Sequence, residues 1–157
     1  MTIFPHLRVA IQADFPQLAE VMYDAIWNGP SQYTIDQKRA WCPEVRGGVD
    51  WNDRLRQQWI VLAESDCQVV GFMSLASNGY IDFAYIRPQH QGTGLFRKLF
   101  QKLEHRALEL GEPLLWVHAS LMAQPVFAAM GFEIIQAEHV DVRGERLTRF
   151  EMRKKLK

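Results

Sequence analysis

Tyr85-Ile86-Arg87-Pro88-Gln89-His90-Gln91-Gly92-Thr93-Gly94-Leu95 is the stretch on which the reading of this 157-residue chain turns. A strand runs out at Arg87-Pro88, a loop carrying two glycines turns, and an amphipathic helix begins at Leu95. The first amides of a helix have no partner within it, and the aligned peptide dipoles place roughly half a positive charge there. Gly92 and Gly94 permit torsions closed to other residues and let the backbone come close to a ligand. The amides of Gln91 to Leu95 can therefore converge on an anion such as a diphosphate. Taken alone, Gly92-Thr93-Gly94 reads equally well as a tight turn.

Downstream, Leu95, Phe96, Leu99, Phe100, Leu103, Ala107 and Leu110 recur at helical spacing, and Gly111 and Pro113 stop the helix. Leu114 to His118 is a continuous apolar run. It reads as a buried strand parallel to the one before the helix, because a strand-helix-strand crossover requires that. Upstream, Trp59 to Glu64, Val69 to Leu75 and Tyr80 to Ile86 read as an antiparallel meander turning at Ser65-Asp66 and Asn78-Gly79. Leu7 to Ile11 reads as a further strand, followed by a helix opened by Asp14. Short helices are expected at Thr34 to Ala40, Asp50 to Arg56 and Leu121 to Met130. Strands at Phe132 to Ala137 and Leu147 to Met152 are joined at Arg143-Gly144, and Arg153 to Lys157 reads as a solvated basic tail.

Composition sets limits on partners. Eighteen basic residues balance eighteen acidic ones, so no long-range field draws nucleic acid or an anionic membrane, and an anion must be held by local geometry. Cys42 and Cys67 stand far apart with no C-x-x-C pair. No signal-like or membrane-spanning apolar run occurs, and a cytoplasmic setting is the expectation. The five histidines make no close ligand pair, so no metal is expected.

Two other phosphate loops fail on their residues. The nucleoside-triphosphatase loop needs G-x-x-x-x-G-K-[ST], which is absent. The dinucleotide fingerprint needs a third glycine where Arg97 stands and an acid after the next strand, where His118-Ala119-Ser120 stand. Gln89-x-x-Gly92-x-Gly94, entered from a strand and leaving into a helix, instead closely resembles motif A of the GNAT superfamily of N-acetyltransferases. Leu114 to Ala119 is similar to that family's next strand. Ala123 to Phe132 is similar to its following helix with the Gly131-Phe132 ending, and Gly71-Phe72 also fits. The resemblance covers nearly the whole chain except Asn28 to Gln58. It implies one α/β (α+β) domain over residues 1–157, with a mixed, mostly antiparallel sheet of six or seven strands flanked by helices and with splayed fourth and fifth strands.

What the resemblance implies for chemistry is specific. Acetyl-coenzyme A would lie with its phosphates on Gln89, Gln91, Gly92, Thr93, Gly94 and Leu95, and with its pantetheine arm against the backbone of Tyr85 and Ile86. A small-molecule or peptide amine would attack the thioester directly, and a main-chain amide at the end of the fourth strand would steady the oxyanion. Asp82 is the first candidate base and His118 the second. Their bland alternatives are a tied carboxylate and a satisfied core histidine. Ser120 is a candidate to orient cofactor or water, or simply a helix cap. Phe127 stands where many family members carry the tyrosine that reprotonates the thiolate, which leaves room for a non-catalytic coenzyme-A-binding module. Tyr33 and Trp41 are the candidate acceptor contacts, while Asp36, Lys38, Arg39, Glu44 and Arg46 are too mixed to select an acceptor charge. Such folds also pair along exposed strand edges into homodimers.

Overall fold

The computed structural model describes residues 4–156. Seven strands form one sheet in the order β1-β2-β3-β4-β5-β7-β6: β1 His6–Val9, β2 Trp59–Ser65, β3 Gln68–Leu75, β4 Tyr80–Ile86, β5 Leu114–Ser120, β6 Glu133–Val142 and β7 Glu145–Lys155. Five α-helices accompany them: α1 Phe15–Asn28, α2 Ile35–Trp41, α3 Gly48–Arg56, α4 Leu95–Glu109 and α5 Ala123–Ala129. The expected fold class is the observed one. No helix among the described residues is long and apolar enough to cross a membrane.

Alternation along the strands divides the core between the two faces. In β2, Val61 and Ala63 pack on the α4 side with Leu95, Leu99, Phe100 and Leu103, while Ile60 and Leu62 pack on the α1 side with Leu18, Met22 and Leu55. The turn before β4 carries Asn78 and Gly79 at φ 63° and 75°, the left-handed torsions that the Asn-Gly pair supplies at least cost. Gly79 is required twice over, because a Cβ there would fall 2.2 Å from the Leu114 carbonyl oxygen. In α2, Thr34 accepts from the Gln37 amide, and the Gln37 side chain reaches back to the Thr34 amide, a capping box.

The parallel junction of β4 and β5 positions the site. These strands pair only at Tyr80 with Trp116 and at Ile81 with Val117, whereas the antiparallel ladder of β5 with β7 continues through Ser120 opposite Arg149. Beyond Ile81 and Val117 the two halves of the sheet therefore part, as the splayed strands were expected to.

Most element bounds differ from the sequence reading by a few residues. The exception is the basic run Arg153 to Lys157, which is no solvated tail over its described part. β7 carries it between β5 and β6, with Lys154 opposite Leu115 and Lys155 opposite Leu114. Lys154 holds its ammonium over the Phe100 ring, 5.1 Å from the centroid, and pairs it with Glu104 at 2.5 Å, so the charge is satisfied on both sides. β6 likewise extends past Ala137 to Val142, and its solvent-facing outer edge leaves Ile134 and Ile135 exposed.

Candidate active site

The loop after β4 has the geometry its glycines suggest. Gly92 and Gly94 sit at φ 73° and 87°, and a Cβ at either would meet open space. The amides of Gly92, Thr93, Gly94 and Leu95 make no hydrogen bond to protein among the described residues. The Gln91 amide differs, donating to the Pro88 carbonyl at 3.3 Å. The Thr93 hydroxyl donates to the His90 carbonyl at 2.7 Å, and the Gln91 side chain donates to the Ile86 carbonyl at 2.9 Å, which stiffens the turn at its base. Gln89 is exposed on a short 3-10 turn, Pro88–His90. Four free amides on an α-helix N-terminus form an anion cradle.

The cradle opens into a cleft of about 460 Å³, lined by Ile86, Gln91, Gly92, Gly94, Phe96 and Met122 among others. A second chamber of about 220 Å³ lies beyond it, lined by Tyr33, Asp82, His118, Phe127 and several arginines. Trp41, Ala84, Tyr85, Ser120 and Ala123 face both. The chambers therefore meet where β4 and β5 have separated.

Residues 31–156 match the model of the acetyltransferase (GNAT) domain. The chain belongs to the GNAT acetyltransferase family. It is 32% identical over 145 residues to the N-acetyltransferase YafP of Escherichia coli K12, whose activity is uncharacterized, covering 90% of each chain. Its fold matches that of a GCN5-related N-acetyltransferase from Rhodopseudomonas palustris at a TM-score of 0.87, with 28% identity and 99% of each chain covered. A structure of the acetyltransferase yncA from Salmonella typhimurium, solved with acetyl-CoA, shares the fold at a TM-score of 0.69, with 19% identity over 98% of this chain and 94% of that one.

Within this GNAT enzyme, Asp82 is tied down. Its Oδ2 accepts from Arg54 Nε at 2.8 Å and from Gln58 Nε2 at 2.7 Å, and its Oδ1 accepts from Arg54 Nη2 at 2.6 Å. The Arg54 guanidinium also rests on the Phe83 ring. A carboxylate with both oxygens so occupied is a poor proton acceptor. His118 is better placed. Its Nδ1 lies 2.9 Å from the Tyr80 hydroxyl, and its Nε2 lies 3.6 Å from Glu138. Burial, helped by the Arg149 charge, holds the imidazole below its ordinary 6.5, so it is neutral at pH 7. Burial also pushes the Tyr80 phenol up, so it keeps its proton. Burial opposes ionisation of Glu138, but hydrogen bonds to Gln136 and Arg149 outweigh it and hold the carboxyl below its ordinary value. These states fix the tautomer: Tyr80 donates to Nδ1, and the Nε2 hydrogen faces the carboxylate.

Ser120 accepts from the Ala123 amide at 3.1 Å and so steadies the start of α5, while its own hydrogen remains free to donate into the cleft. Phe127 is buried between Phe96 and Phe132 at ring distances of 5.2 and 5.1 Å, an apolar wall for the second chamber. Tyr33 and Trp41 both line that chamber, in edge contact at 5.5 Å. The Tyr33 hydroxyl is already committed, donating to the Thr148 carbonyl at 2.6 Å and accepting from the Leu121 amide at 3.0 Å. It fastens the α5 entrance to β7.

Tyr80, Glu138, Arg54 and Arg149 escaped the sequence reading, and Arg46 was weighed there only as one of a mixed set of charges. They come from separate segments, and no local spacing links them. His118, Glu138 and Glu151 also bring three metal-capable atoms within 4.8 Å of one another. Arg149 and Arg153 occupy the two carboxylates, which suits a salt-bridge network rather than a cation.

Proposed function

We propose that this protein transfers the acetyl group of acetyl-coenzyme A to a primary amine by direct attack in a ternary complex. One observation carries the reading: an anion cradle of free amides leads through a cleft into a polar chamber, and the two meet at a gap between parted strands. The diphosphate would sit on the amides of Gly92 to Leu95, and the pantetheine arm along the side of β4 that faces the gap to β5, near Tyr85 and Ile86. The thioester would then lie at the junction. The acetyl-coenzyme A bound by yncA lends support by analogy of fold.

An amine with a pKa near 10.4 is charged at pH 7, and freeing its lone pair costs about 4.6 kcal/mol at 1.36 per unit. The ammonium hands a proton, directly or through water, to the Tyr80 oxygen while Tyr80 passes its own to His118 Nδ1. Glu138 steadies the imidazolium that results. The free amine attacks the carbonyl carbon, the carbon–sulfur bond breaks, and the nitrogen loses its second proton. The departing thiolate takes a proton from water. A thiol near pKa 8.5 permits this, and Phe127 leaves no hydroxyl there to do it. The balance is one ammonium and one thioester giving one amide, one thiol and one proton. Asp82 takes the part of an anchor that fixes Arg54 against the chamber wall.

Thiol release from acetyl-coenzyme A across a panel of amines, with mass measurement of the acetylated product, tests the reading. Tight cofactor binding with no thiol released for any amine would favour the coenzyme-A-binding module that Phe127 permits. A cytoplasmic setting and a homodimer paired along the free edge of β1 or β6 belong to the same reading.

A further inference from the structure

The acceptor chamber is lined by three guanidinium groups, Arg46, Arg54 and Arg149, against one carboxylate, Asp82. Two of the three cations are already matched, Arg54 by Asp82 and Arg149 by Glu138. Arg46 is not. Among the described residues it forms no ion pair. Its one hydrogen bond runs from Nη2 to the Trp41 carbonyl at 3.3 Å, and its Nε is buried with no acceptor. Glu44 and Asp50 line a further depression that Arg46 also borders, without pairing to it.

The groups packed near Arg46 do not cancel its charge. Burial pushes the Cys42 thiol up, and burial pushes the Tyr85 phenol up, so both are neutral at pH 7. A buried N–H of a charged group without an acceptor is an unfavourable arrangement in the free protein, and a planar carboxylate is the partner that best relieves it. Arg46 leans on the carbonyl of Trp41, and the Trp41 side chain faces both chambers. The unpaired cation therefore lines the acceptor chamber and is tied to a residue that faces both cavities. At about 220 Å³ the chamber falls below the roughly 300–1,000 Å³ of a drug-sized site, which suits a compact acceptor.

We infer that the acceptor is a small amino acid, an amine bearing a free carboxylate, and that Arg46 is the residue that binds this carboxylate. The inference rests on the transferase reading only for the identity of the chamber as the acceptor site. The test compares free amino acids with their primary carboxamides as acceptors, by thiol release, in the wild-type enzyme and in Arg46→Gln and Arg46→Lys. The wild type should favour the free acids by about tenfold or more in kcat/KM. Arg46→Gln should erase that preference by lowering the free-acid value, Arg46→Lys should keep part of it, and acetyl-coenzyme A affinity should be retained in both. Calorimetry of N-acetylated amino acids and their carboxamides on the coenzyme A complex gives the same comparison without turnover. Equal treatment of acids and carboxamides by the wild type, or a preference that survives Arg46→Gln, overturns the inference. If no amine is ever acetylated but acid-selective, Arg46-dependent binding remains, the transferase reading fails and the carboxylate site stands.

Discussion

The larger chamber is walled mostly by small or apolar residues of α1, β4, α4 and α5 and by the glycine loop, with Gln91 and Arg97 at its polar end. The smaller one is walled by guanidinium, carboxylate, imidazole and phenol groups drawn from α3, β4, β5, β7 and the segment around α2. The first presents donors that the backbone cannot use elsewhere, so its specificity is built in by torsion. The second presents side chains that mostly satisfy one another, with Arg54 on Asp82, Arg149 on Glu138 and Tyr80 on His118. Its chemistry therefore depends on which of these pairs a ligand can join or displace. A backbone site is hard to retune by substitution, whereas a side-chain site can change acceptor without disturbing the fold.

The sharpest way to break this contrast is Gly92→Glu. The position needs φ 73° and opens on free space, so the substitution adds strain and a negative charge at the cradle. It should weaken acetyl-coenzyme A at least roughly 100-fold by calorimetry while the circular dichroism spectrum is kept. Unchanged affinity would move the diphosphate elsewhere. Next, His118→Gln should lower kcat by about 100-fold and leave cofactor affinity alone. The sign of its pH dependence follows from the lowered imidazole value: activity needs the neutral ring and is lost as pH falls through the His118 value, which lies below the ordinary histidine range, and the variant should lack that acid limb. A variant whose acid limb is intact excludes His118 from the proton path.

Asp82→Asn removes the charge that holds Arg54, and a fall in kcat of about tenfold, again with normal cofactor binding, is expected from a displaced chamber wall. A variant with wild-type kinetics would mean that Arg54 keeps its place without its counter-ion. The smallest effect on the cleft should come from Asp14→Asn, far from both chambers. The Asp14 carboxylate accepts two bonds from Arg8 and one from the Ile11 amide, so the change should cost about 2 kcal/mol in urea unfolding and nothing in kcat. The Arg8 bonds hold the Asp14 carboxyl below its ordinary 3.8. The wild type's advantage is therefore present above that value and fades as pH falls through the folded one. An advantage independent of pH would mean that ionisation of Asp14 is not its source.

How much of this was legible in the sequence follows the same division. Gly92 and Gly94, the amphipathic Leu95–Glu109 and the Asn78-Gly79 turn act within a few residues of themselves, so a local pattern announces them. The charged chamber does not announce itself. Arg54 reaches Asp82 across 28 positions, Tyr80 reaches His118 across 38, and Arg46 meets its surroundings only because α2 and α3 fold over the end of β4. A mixed run of charges in a segment broken by glycine and proline looked neutral in sum, and nothing in its spacing marks Arg46 as the member that lines the chamber with a buried, unmatched N–H. β7 was misread at Arg153 to Lys155 for a related reason. Arg153 and Lys155 are exposed and only Lys154 is half-buried, with its ammonium over the Phe100 ring, so period-two alternation is hidden behind three like charges.

The two register pairs that join β4 to β5 have one more consequence. A ladder stopped after Ile81 and Val117 leaves two half-sheets joined by main-chain pairing only at a narrow waist, with side-chain packing on the α4 face holding the rest. An extended molecule laid in that opening, with amides of its own, would act as a seam, so occupancy and rigidity of the whole fold would rise together.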